Sequence, residues 1–332
     1  MTAPIDHQPY NSLTPDTVID AIESIDYLCD LRVFPLNSYE NRVYQVGIEG
    51  EEPLIAKFYR PGRWSDEQIL EEHTFTLALA ELEIPVIAPK IVQNKSLFQY
   101  KEHRFSLTPR RGGHAPELDN LDTLYTLGQH IGRIHEVSKT APFKFRPEMS
   151  VDAFGIQSRT FLLENNFIPQ NLIPAYESLA QHLIDKVNLI FKDHPYDAIR
   201  LHGDCHPGNI IQRQDSLYIV DLDDCRSGPA IQDLWMLLSG DRQQKSIQLE
   251  TILEGYEEFS DFRMAELHLV EGLRTLRLMH YAAWLARRWQ DPAFPMAFPW
   301  FNTERYWAEH ILELREQMSI LDEPTVQPAS FI

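Results

Sequence analysis

The chain has 332 residues, a formal charge of −19, 43% hydrophobic residues and three cysteines. That length suffices for a large core or two lobes, and the acidic balance argues against nucleic acid or an anionic membrane as partner, since both are polyanions. No run reaches the roughly 20 apolar residues of a membrane span. Residues 1–8 lack a basic region followed by an apolar core, and Cys29, Cys205 and Cys225 are too few for a disulfide framework, so a reduced cytoplasmic setting is expected.

Thr14-Pro15-Asp16 opens a helix: Thr caps, Pro suits the first helical position, and Asp favours the positive end of the dipole. Short β-type runs follow at 32–38, 42–48 and 54–59. Ser65 with Gln68 marks a capping box, and that helix should end at Ile84-Pro85. Further strands are expected at 88–93, 97–101 and 104–108. The polar breaker 109–113 predicts a hinge between an N-terminal lobe, 1–108, and a C-terminal lobe, 114–332. Beyond it the pattern is mainly helical, at 121–134, 172–191, 233–238, 247–259, 265–289 and 303–321. Strands interrupt the helices at 199–224, and the tail from 327 is expected to fray. The fold class is α+β, a small β-sheet lobe with one long helix joined to a larger helical lobe.

One stretch organises the rest: Leu201-His202-Gly203-Asp204-Cys205-His206-Pro207-Gly208-Asn209, followed by Leu217-Tyr218-Ile219-Val220-Asp221-Leu222-Asp223-Asp224. A tight loop carrying an acid and an amide, next to a buried strand ending in an acid, makes a hard-oxygen site. Such a site suits Mg²⁺, which binds through one or two protein groups plus substrate phosphates. The arrangement points to phosphoryl transfer. His202 and His206 flank Asp204 at a spacing that would also serve zinc in isolation. Strand alternation puts Asp221 and Asp223 on one face, so Asp223 and Asp224 compete for the metal role.

His-Gly-Asp-x-x-x-x-Asn followed by an apolar strand ending in Asp resembles the core of the aminoglycoside phosphotransferase and choline kinase group, whose fold is similar to that of protein kinases. The wording at 36–44, 57–61 and 228–235 resembles one member family, stress response kinase A. The likeness runs from about residue 14 to about residue 324. It implies a protein-kinase-like two-lobe fold with MgATP in the cleft, and a bacterial serine/threonine protein kinase of the stress response. Its partners would be ATP and a protein hydroxyl, with no nucleic acid and no membrane, and the enzyme would act as a monomer. By the same resemblance Asp204 is the catalytic base, Asn209 and Asp221 hold Mg²⁺, Lys57 holds the ATP phosphates, and Asp233 braces the catalytic loop. Glu71 and Glu72 are candidates to hold Lys57, and Glu72 is preferred because its spacing to Phe75 and Leu79 turns it inward.

The segment 36–42 replaces a phosphate-covering loop but contains no glycine, so close backbone approach is harder. Ser38 is the candidate ATP contact, and Asn41 is a second side-chain donor. Arg274 and Arg277, with Tyr281, Trp284, Arg287 and Arg288, either receive an acidic or phosphorylated substrate or pack amphipathically. The core motif does not separate a protein kinase from a kinase of small hydroxyl compounds, such as aminoglycosides, choline or homoserine. A nucleotide-binding scaffold without catalysis is the third reading, and the presence of Lys57, Asp204, Asn209 and Asp221 speaks against it.

Overall fold

The computed structural model describes residues 10–331. The stretch 1–8, read for a leader, lies outside them, as does Ile332 of the tail. In chain order the elements are α1 (Pro15–Glu23), β1 (Cys29–Pro35), β2 (Arg42–Ile48), β3 (Leu54–Phe58), α2 (Asp66–Glu81), β4 (Phe98–Tyr100), β5 (His103–Pro109), α3 (Leu121–Ser138), α4 (Gln157–Glu164), α5 (Ile173–Asp193), β6 (Ile199–Leu201), β7 (Ile210–Arg213), β8 (Ser216–Ile219), β9 (Arg226–Gly228), α6 (Arg242–Tyr256), α7 (Val270–Arg287), α8 (Ala293–Ala297) and α9 (Glu304–Ile320). They gather into two compact units. The first comprises residues 1–116, 143–146 and 207–225, and the second comprises 117–142, 147–206 and 226–332.

The first unit is built on an antiparallel sheet in the order β1-β2-β3-β5-β4. Alternation along β3 buries Leu54, Ala56 and Phe58, which pack with Val46, Phe105 and Leu107 and with Val18 and Ile22 of α1. Thr14 caps α1, its Oγ1 accepting from the Thr17 N–H at 3.2 Å. The capping box of α2 forms as expected: the Gln68 N–H reaches Ser65 Oγ at 3.2 Å and the Ser65 N–H reaches Gln68 Oε1 at 2.9 Å. The β7–β8 hairpin pairs Ile210 with Ile219. Its outer edges are taken within the same unit, where the Ile219 N–H donates to Pro85 O at 2.9 Å and the Gln212 N–H donates to His114 O at 2.8 Å.

In the second unit α3 lies against α6 at glycines. A Cβ on Gly128 would stand 2.1 Å from Ile252 O, and one on Gly255 would stand 2.1 Å from Tyr125 O. Gly128 inside α3 and Gly255 inside α6 would each weaken an isolated helix, and here they let the two backbones approach. The short strands β6 and β9 pair Ile199 with Gly228. α5 buries Leu183, Ile184 and Val187, and α9 buries Trp307 and Leu314.

Several expectations move. The linear boundary at 109–113 differs from the observed units, because the chain returns to the first unit at 143–146 and 207–225. The first strand lies earlier than 32–38: Cys29 pairs with Ile48, a bulge intervenes before Val33, and the strand stops at Pro35. Residues 88–93 form no strand, only a Val92–Lys95 bridge around a left-handed turn at Gln93 and Asn94. The helix expected at 233–238 is two 3₁₀ turns, Ala230–Asp233 and Trp235–Leu237, and Met264–Leu269 is also 3₁₀. A π turn at Asp152–Ile156 runs into α4, a region without a helical stripe in the sequence. The tail expected to fray is held. Arg242 donates to Pro324 O and Thr325 O at 2.7 and 2.8 Å just before it, and within it the Ser330 N–H donates to Glu250 at 3.1 Å.

Candidate active site

In the second unit the chain turns after β6 through Gly203, whose φ of +86° favours glycine. Asp233 lies behind this turn, buried. Its carboxylate accepts the His202 N–H at 2.7 Å and the Gly203 N–H at 2.8 Å. His135 Nε2 stands 3.1 Å from Asp233, and His135 Nδ1 stands 3.0 Å from the Tyr256 hydroxyl. The brace expected of Asp233 is therefore present, and a buried His-Tyr pair extends it. Gln232 Nε2 donates to Gly203 O at 3.1 Å, adding a second tie from the same 3₁₀ turn. Glu266 anchors that turn by accepting the Ile231 N–H at 3.1 Å, and burial pushes its carboxyl up to about 7.

The loop so fixed presents Asp204. One carboxylate oxygen is ion-paired with Arg277, and the other lies 3.5 Å from His206 Nε2. His202 is buried, and its Nδ1 accepts the Asp204 N–H at 3.3 Å. That bond sets the loop rather than a metal ligand, against the zinc alternative. Among the described residues no group of three or more His, Cys, Asp or Glu is disposed to hold a metal ion.

In the first unit the hairpin fixes the other groups. Val220 N–H donates to Asn209 O at 2.9 Å, continuing the β7–β8 register, so Asn209 and Asp221 emerge at the same end of the hairpin. Asp221 then takes the left-handed conformation, φ +61°, and a 3₁₀ turn follows at Leu222–Asp224. Asp is among the few side chains that tolerate that conformation. The expected strand alternation fails here, yet both acids still approach Lys57, because the left-handed residue and the turn bring them round. Lys57 Nζ donates to Asp221 Oδ1 at 2.6 Å and lies 3.8 Å from Asp223 Oδ1. Burial alone would lower the Lys57 ammonium, but Asp221 and Asp223, with Glu72 beyond, hold it well above the ordinary lysine value.

Asp223 is buried and is held mainly by protein groups. Arg63 forms an ion pair with it and reaches Asp224 at 2.7 Å. Asn41 Nδ2 donates to it at 3.1 Å. These contacts make Asp223 a structural acid, whereas Asp221 keeps about half of its side chain exposed. Asn41 accepts the Arg60 N–H at 3.1 Å as well, so its amide is committed to the protein rather than held out as a donor. Ser38 Oγ donates to Asn41 O at 3.0 Å, closing the glycine-free loop between β1 and β2.

The two glutamates of α2 divide the work. Glu72 points inward as expected and is buried, but its ion pair goes to Arg146 Nη2 at 3.0 Å rather than to Lys57, which feels it through charge. Glu71 accepts the N–H groups of Lys144, Phe145 and Arg146 at 2.6, 2.9 and 2.8 Å. Arg146, buried and invisible to sequence reasoning, also donates to Asp223 O at 2.6 Å and lies over the Trp64 ring at 4.5 Å. It ties α2 to the turn after Asp221.

The donor set suits a hard divalent cation. Asp221 is solvent-open, Asn209 is placed beside it by register, and Asp223 Oδ1 is buried near Lys57 without a hydrogen bond. Oxygen groups in this number leave the remaining positions to phosphate and water.

A profile of the phosphotransferase enzyme family matches residues 32–269. Stress response kinase A of Escherichia coli O157:H7 is 44% identical over 318 residues, covering 96% of each chain. The serine/threonine protein kinase RdoA of Salmonella typhimurium is 43% identical, with the same coverage. Among solved structures, an amicoumacin kinase in complex with AMP-PNP, Ca²⁺ and its ligand superposes with a TM-score of 0.71 at 18% identity, covering 94% of this chain and 95% of that one. A microcompartment-associated aminopropanol kinase gives a TM-score of 0.68 at 16% identity, covering 92% and 98%. These two share the fold. With the acid-and-amide loop, the hairpin and the lysine pair in place, the match over nearly the whole length makes this chain a member of the phosphotransferase enzyme family, in the kinase group of stress response kinase A.

Proposed function

We propose that the chain is an ATP- and Mg²⁺-dependent kinase that phosphorylates serine or threonine hydroxyls of proteins in the bacterial cytoplasm under stress. The observation that carries the reading is Lys57 Nζ at 2.6 Å from Asp221 Oδ1, on a hairpin whose register sets Asn209 beside Asp221. Asn209 and Asp221 would hold the metal, which when bound supplies charge neutralisation at the transferring phosphoryl group. Lys57 is drawn by its own carboxylate partners to where phosphate oxygens would lie, and Glu72 adds negative charge behind it. Ser38 would turn its hydroxyl from Asn41 to the nucleotide. Asp204, on a turn fixed by two hydrogen bonds to Asp233, orients the acceptor hydroxyl and takes its proton while the hydroxyl oxygen bonds to the γ-phosphorus and ADP leaves. Cys29, Cys205 and Cys225 are buried thiols outside any disulfide, which supports a reducing compartment. Among the described residues no helix is long and apolar enough to cross a membrane.

The test is Asp204→Ala with radiolabelled ATP. Loss of a positioned base is expected to cut transfer by about 10²–10⁴-fold, with nucleotide binding kept, because the nucleotide-side groups belong to other elements. Normal turnover in the variant rejects Asp204 as the base. Exclusive labelling of a metabolite, in a panel set beside a generic protein, replaces the protein acceptor with a small one.

A further inference from the structure

α7 carries Arg277, Tyr281 and Trp284, with Arg288 just past its end, at spacings that place them along one face. Three cations on and beside this face differ in how they are committed. Arg274 is paired with Glu271 at 3.1 Å and lies over the Trp235 ring at 5.0 Å. Arg288 lies over Trp284 at 5.3 Å and donates to Trp284 O at 3.2 Å. Arg277 is ion-paired with Asp204, the acid assigned as base, and its side chain is 42% exposed. Tyr281, exposed, stacks on Trp284 at 5.8 Å one turn further on.

A carboxylate that is to receive a hydroxyl proton needs a lone pair facing that hydroxyl. Asp204 has one oxygen on Arg277 and the other turned to His206. An acceptor must therefore displace a partner, and Arg277 is the more solvent-open of the two. A guanidinium leaving one carboxylate is best compensated by another, which it grips through a planar fork. A cationic acceptor would instead meet Arg277 as a like charge, and the ring face of Trp284 that could hold an ammonium already faces Arg288.

We propose that Arg277 is the acceptor-recognition residue: it binds an Asp or Glu side chain flanking the serine or threonine to be phosphorylated, and in moving to it frees Asp204 for the hydroxyl. This rests on the protein-kinase reading above and names its substrate class, acidic segments. Arg274 and Arg288 are packing residues on this view, and only Arg277 is exchanged.

The test uses the full chain, MgATP and three peptides of one length, each with a single serine flanked by Asp, Ala or Lys. Wild type, Arg277→Gln, Arg277→Lys and Arg277→Glu are compared, with Asp204→Ala as control. Wild type should favour the Asp-flanked peptide over the Ala-flanked one by about 10-fold in KM, the size of one charge-assisted contact. Arg277→Gln should remove that ranking through KM while the KM for ATP stays put. Arg277→Lys should retain part of it, and Arg277→Glu should turn the preference to the Lys-flanked peptide. Asp204-dependent transfer whose ranking ignores residue 277, or a wild-type preference for Lys-flanked peptides, overturns this inference alone. Absence of Asp204-dependent transfer to every peptide overturns it together with the protein-kinase reading.

Discussion

Around Lys57 three acids and two arginines lie together, and they are not equivalent. Asp223 is caged by Arg63 and Asn41, Glu72 by Arg146, and Asp221 alone opens to solvent. The carboxylate offered to a ligand is thus the one the protein holds least. Burial pushes Glu72 up to about 7, opposed by Lys57 and Arg146 and assisted by Asp223 and Asp221. The folded state then binds a proton that the unfolded chain releases near 4.5. The stability so contributed is present below the unfolded value and is lost as pH rises through about 7. Glu72→Gln, which keeps an oxygen for Arg146, should therefore gain on wild type between pH 5 and pH 7.5, by about 2 kcal/mol. Urea midpoints at the two pH values measure this, and a constant gap would show that Glu72 titrates normally. Asp204, Asn209 and Asp221 were legible in the sequence because their chemistry is local, an acid and an amide on one loop and an acid ending the next strand. Arg63 and His135 were not, since their partners lie 161 and 98 residues away, and neither stands in a pattern of its own. Arg277 was noticed, but nothing in a one-dimensional reading sets it on Asp204.

At the level of elements the local signals were dependable wherever the energetics are local. The caps at Thr14 and Ser65 form as read, because each needs only residues three apart. The strand at 88–93 failed because β-type composition does not supply an edge to pair with, and the turn at Gln93 and Asn94 takes the chain away. The glycines of α3 reverse the usual reading: what looks like helix weakness is the contact itself. Gly128→Ala would set a methyl against the backbone oxygen of Ile252, which cannot rotate aside. Overpacking of this kind should cost about 1–3 kcal/mol. It should also loosen the approach of Tyr256 to His135, and through it the Asp233 brace. Thermal unfolding checks the first effect, and hydrogen exchange at the Gly203 amide checks the second. An unchanged melting temperature would mean that the helices adjust freely.

For the whole chain, charge and composition argued only against polyanionic partners, and the order of the segments was hidden. The first compact unit is assembled from three pieces, the last ending at residue 225. Residues 1–116 alone lack the hairpin that pairs with Pro85 and His114, and they also lack Arg146, which satisfies buried Glu72. That fragment is expected to show no cooperative unfolding transition by circular dichroism, and a sharp one would count against the hairpin as an integral part. A unit whose last piece arrives late has a consequence for the cell. During synthesis, about 100 further residues must leave the ribosome before the first unit receives its β7–β8 hairpin, a wait on the order of 5–20 seconds at ordinary translation speeds. Through that interval the five-stranded sheet stands without the hairpin, and the backbone groups of Pro85 and His114 lack the partners it brings, so the emerging chain would have to be sheltered by chaperones.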